Sequence, residues 1–121
     1  MVELFDEFIE IGWNMFNPFQ PEVMDIFALK KEYHGRLVFH SGMSIQRVLP
    51  FGTPEEVRQE TRRLIEAGRE GGYIFAPSHT VPPDVPPANL VAMMEELCSQ
   101  AGAIINNMTS SKQMIANNLL P

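Results

Sequence analysis

The chain has 121 residues, 45% hydrophobic and 20% charged, which suits one globular domain and excludes a disordered segment. Its formal net charge of −6 argues against binding driven by nucleic-acid phosphates or by an anionic membrane surface. A single cysteine, Cys98, excludes an internal disulfide and a cysteine-only zinc site.

No apolar run reaches the roughly 20 residues that span a bilayer, so no membrane span is expected. The start Met1-Val2-Glu3-Leu4 has neither the basic nor the apolar region of a signal peptide. A reducing, cytoplasmic setting is the expectation. In chain order, a helix is expected at about residues 2–10, then a strand and a helix three times over. The strands are short apolar runs, Trp13–Phe16, Arg36–His40 and Gly72–Ala76, nearly continuous as strands buried on both faces should be. Pro21, Pro54 and Pro87 open the three helices, each 33 residues from the next, and Gly35, Gly68 and Gly102 close them.

The best-marked start is Thr53-Pro54-Glu55-Glu56, where Thr53 can cap the N3 amide while Glu56 reaches back, a capping box with proline at N1. Helical spacing gives buried stripes of Val57, Thr61, Leu64 and Ile65, of Val23, Ile26 and Phe27, and of Leu90, Val91, Met94, Leu97 and Cys98. On that stripe Cys98 reads as a small buried hydrophobe, not a nucleophile, since no base is near it in sequence. His34, beside Gly35 at a helix end, reads as a partner of the helix dipole.

Alternating strands and helices call for parallel pairing with right-handed crossovers. Two architectures fit: a small open α/β sheet, or part of a (β/α)8 barrel. An open three-stranded parallel sheet exposes two edges and one poorly covered face, whereas a complete barrel needs about 250 residues. The expectation is therefore α/β with three βα units of a partial TIM barrel in residues 1–102, followed by a divergent tail at 103–121. In either architecture functional groups gather at the C-terminal ends of the strands. Those ends read Asn17-Pro18-Phe19-Gln20-Pro21, His40-Ser41-Gly42-Met43-Ser44-Ile45-Gln46 and Ala76-Pro77-Ser78-His79-Thr80. By contrast, the turn at Gly68-Arg69-Glu70-Gly71-Gly72 joins a helix to a strand, the wrong direction for a phosphate loop.

These loop sequences, with Leu49-Pro-Phe-Gly-Thr-Pro-Glu-Glu-Val57, Gly71-Gly-Tyr-Ile-Phe-Ala-Pro-Ser-His79 and Val85-Pro-Pro-Ala-Asn-Leu-Val-Ala-Met93, resemble the last third of the uroporphyrinogen decarboxylase superfamily. The resemblance covers roughly residues 5–100 and implies a barrel whose last three units these are. It implies a carboxy-lyase of tetrapyrrole biosynthesis that uses no metal and no organic cofactor. On it His79 is the candidate catalytic residue, although Ser78 and Thr80 stand where relatives carry glycines. His40, Gln46, Asn17, Gln20 and Ser44 are the candidate substrate-binding residues. His40 and His79 end adjacent strands, which lie roughly 4.8 Å apart, and Asn17, before Pro18, is as well suited to holding loop backbone.

At Met43-Ser44 much of the family has an apolar residue followed by aspartate. The family's arginine-rich loop and its early-strand aspartate have no counterpart in the chain, so it is expected to be a fragment, inactive alone. Its partners would be a tetrapyrrole-like small molecule, and either a complementary N-terminal half or a second copy in a homodimer. Two alternatives stand beside this reading: a relative of the corrinoid-linked methyltransferases, whose zinc-binding cysteine is absent here, and a non-catalytic half-barrel that self-associates.

Overall fold

The computed structural model describes residues 2–102. A 3-10 turn (Val2–Leu4) leads into α1 (Phe5–Glu10). Then follow β1 (Met15–Phe19), α2 (Ile26–Glu32), β2 (Val38–Ser41), α3 (Val48–Phe51), α4 (Pro54–Ala67) and β3 (Tyr73–Ile74). A last helix, α5, occupies residues 87–102. The strands form one parallel sheet in the order β1-β2-β3. This is a small α/β architecture in which helices alternate with parallel strands.

The sheet is covered on one face. Strand alternation sends Phe16 and Phe39 into the helix layer, where Phe5 of α1 lies 4.8 Å from the Phe16 ring and 5.5 Å from Tyr33. Ile26, Leu29, Leu49, Val57, Leu64, Ala92 and Met93 complete this core. The other face carries Met15, Val38, His40 and Ile74, with Met15 43% and Ile74 45% exposed. The apolar runs that suggest burial on both faces are thus buried on one.

Local signals fix α4 as the sequence predicts. Thr53 accepts from the Glu56 amide at 3.2 Å, and Glu56 accepts from the Thr53 amide at 2.6 Å. Val57, Thr61 and Leu64 are fully buried, and Ile65 is half-buried. Gly68 follows the helix, and its reason is space: a Cβ there would sit 2.7 Å from the ring of Tyr73.

Three expectations are corrected. The first strand lies later than expected, so Asn17 belongs to β1 and not to the loop after it. Pro21 does not open α2; Asp25 does, its carboxylate accepting from the amides of Phe27 and Ala28. An aspartate with extended backbone outcompetes a proline as a helix start because it satisfies two otherwise unpaired donors. Val23 is consequently 70% exposed, Phe27 lies at the surface beneath the Arg63 guanidinium, and Leu29 and Tyr33 take the core positions.

The third correction is the rotation of α5. Its inner face is Asn89, Ala92, Met93 and Glu96, while Val91, Met94 and Cys98 are exposed. Polar anchors set this orientation. Asn89 donates to the carbonyls of Leu49 (2.7 Å) and Gly52 (2.8 Å), and Glu96 accepts a two-pronged bond from Arg62 (2.7 and 3.1 Å). Apolar periodicity cannot register contacts of this kind. The tail at 103–121 lies outside the described residues. No helix among the described residues is long and apolar enough to cross a membrane.

Candidate functional site

Since the strands are parallel, the loops that follow them leave from one edge of the sheet. The approach to that edge is shaped by Pro18, which has no N–H to give to a ladder. Phe16 pairs with Phe39 and Phe19 with Ser41, so Asn17 and Pro18 together oppose the single residue His40, a bulge in β1. On the other side His40 is in register with Ile74 of β3. Asn17, His40 and Ile74 therefore form a row across the sheet at its C-terminal end, and alternation puts His40 on the face away from the helices, half-buried.

The loops above this row are tied together by hydroxyl groups. Ser41 has φ +98°, a left-handed conformation that a non-glycine side chain adopts only at a cost, and Gly42 follows at φ +112°. The Ser41 hydroxyl accepts from the Phe19 amide at 2.7 Å, joining the β1 loop to the β2 loop. Its carbonyl accepts from the Tyr73 phenol at 2.5 Å, joining both to β3. Burial pushes the Tyr73 phenol up from its usual range, so it remains a donor. A Cβ on Gly42 would lie 2.7 Å from that phenolic oxygen, which accounts for the glycine. Beyond the strands, Met43 donates to the Ala76 carbonyl, and the Ser78 amide and hydroxyl both donate to the Met43 carbonyl at 2.9 Å. Ser78 is buried.

His79 thus stands on a backbone fixed beside the loop after β2. Its side chain is exposed and, like that of His40, makes no hydrogen bond or ion pair among the described residues. Gln20 and Gln46 lie exposed in the loops after β1 and β2. Ser44 is a correction. It is 4% exposed, and its hydroxyl donates to Glu22 and accepts from the amides of Arg47 (3.0 Å) and Val48 (3.4 Å). One donor and two lone pairs are all a hydroxyl has, so Ser44 builds the loop and has nothing left for a ligand. His34 follows α2, at the opposite end of the sheet.

A cleft of about 690 Å³ opens on the helix side, lined by residues including Glu22, Ser44, Arg47, Phe51, Glu60 and Arg63. Of the candidate residues it includes only Ser44, so it is separate from the row of Asn17 and His40. The residues that sequence reasoning missed are Ser41, Tyr73 and Ser78. A Ser-Gly pair directly after an apolar strand is a turn signal that points to Ser41, whereas nothing local marks Tyr73. No group of three histidine, cysteine, aspartate or glutamate side chains among the described residues is placed to hold a metal ion. What the rim offers chemically is two imidazoles and three amides, able to donate and accept hydrogen bonds.

A model of the uroporphyrinogen decarboxylase (URO-D) family matches residues 23–99. The uroporphyrinogen decarboxylase of Chlorobium phaeobacteroides is 29% identical over 89 residues, 70% of this chain and 22% of that protein. Those of Chlorobaculum parvum and Chlorobaculum tepidum are each 28% identical over 91 residues, 72% of this chain and 23% of each relative. The chain therefore spans less than a quarter of the length of these relatives. The family match takes in His40, Gln46 and His79 but begins after Asn17 and Gln20, a shorter span than the resemblance from residue 5 suggests. With well over half of its residues inside that match, the chain belongs to the uroporphyrinogen decarboxylase family.

Proposed function

We propose that the chain supplies three βα units of a barrel that binds a tetrapyrrole and removes its carboxylate groups, the rest of the barrel being polypeptide outside residues 2–102. The observation that carries this reading is the family match, which runs through the loops after β2 and β3. A half-exposed sheet face bearing His40 supports it, because a barrel interior is such a face.

Loss of carbon dioxide from a pyrrole side chain leaves an electron pair that a protonated ring must accept, and a proton must then take the place of the departed carboxyl carbon. The positively charged ring needs a carboxylate close by. In this reading His79 lines the pocket and hydrogen-bonds the reacting side chain, His40 lies below it, and Gln46, Gln20 and Asn17 donate to the remaining carboxylates. Guanidinium forks are the natural receptors for so many carboxylates. Arg36, Arg58, Arg62, Arg63 and Arg69 are each paired with an acidic side chain of the chain itself, and Arg47 lines the cleft on the helix side. The receptors for the substrate carboxylates would accordingly come from the remainder of the barrel.

The test is to mix the chain with the complementary portion of the Chlorobaculum tepidum enzyme and titrate a carboxylated porphyrin, followed by its fluorescence. Binding by the mixture is expected, weakened by His79→Ala by roughly 10-fold or more, the worth of a hydrogen bond to a charged group. A mixture that does not bind, or a variant that binds as tightly as the parent, sinks the reading.

A further inference from the structure

No further inference is drawn: the strongest candidate, the exposed apolar stripe of Val91, Met94 and Cys98 on the outer side of α5, is an unpartnered helix face, and nothing in the structure shows what covers it.

Discussion

Single side chains with polar ends decide how the last helix sits. Asn89 spends both amide hydrogens on the carbonyls of Leu49 and Gly52 at the end of α3. Asn89→Ala leaves two carbonyls without their donor, and a loss of about 1–3 kcal/mol in denaturant unfolding is expected; an unchanged midpoint would contradict the anchoring role. Glu96 works against the same helix pair. The Arg62 hydrogen bond holds its carboxyl below the usual glutamate range, so folding favours the ionised form. Its contribution is complete above the pKa of the unfolded chain and is lost as pH falls through the lower, folded value. Glu96→Gln should therefore narrow the stability difference between neutral and acidic pH, measured by thermal unfolding across that range. Neither residue was legible in the sequence as an anchor. Asn89 and Glu96 interrupt the apolar spacing, and a pattern built on apolar positions rotates the helix away from them, which is how Cys98 came to be placed inward when it is exposed.

Elements were legible where a local chemical signal marks their ends. The capping box of α4 is complete within four residues, Thr53 to Glu56, and needs no tertiary partner to be read. Thr53→Ala removes it, and a loss of about 0.5–2 kcal/mol is expected by denaturant titration; a helix that unfolds with the rest of the chain at an unshifted midpoint would show that the cap is idle. At α2 two signals compete, Pro21 and Asp25, and only the backbone conformation reveals that the aspartate caps. The strands were found by their apolar runs, but their limits depend on pairing: β1 extends through the bulge to Phe19 because Ser41 takes the Phe19 amide. That bulge, and with it the juxtaposition of Asn17 with His40, is a property of two strands together. His79 and His40 were reachable as chemistry at strand ends; the burial of Ser44 was not.

For the molecule as a whole, the count of strands weighs against closure by copies of the chain alone. An eight-stranded barrel is not a multiple of a three-stranded sheet, so self-association leaves either a gap or a surplus, whereas a complement of about five strands closes the cylinder. Both outer strands, β1 and β3, have an unpaired edge among the described residues. Slower amide hydrogen exchange at β1 and β3 when the complementary portion of a relative is added is the expected sign of barrel completion, with α4 amides as the internal reference. Exchange that stays the same at both edges would count against it.

Tyr73 spans the distance between two glycines. Its ring rests where a side chain on Gly68 would be, and its oxygen where one on Gly42 would be. The foot of the outer helix and the roof of the sheet are consequently held apart by the length of one phenol. Phenylalanine would preserve that spacing and release the tether to Ser41, so a difference of one oxygen atom separates a propped loop from a pinned one.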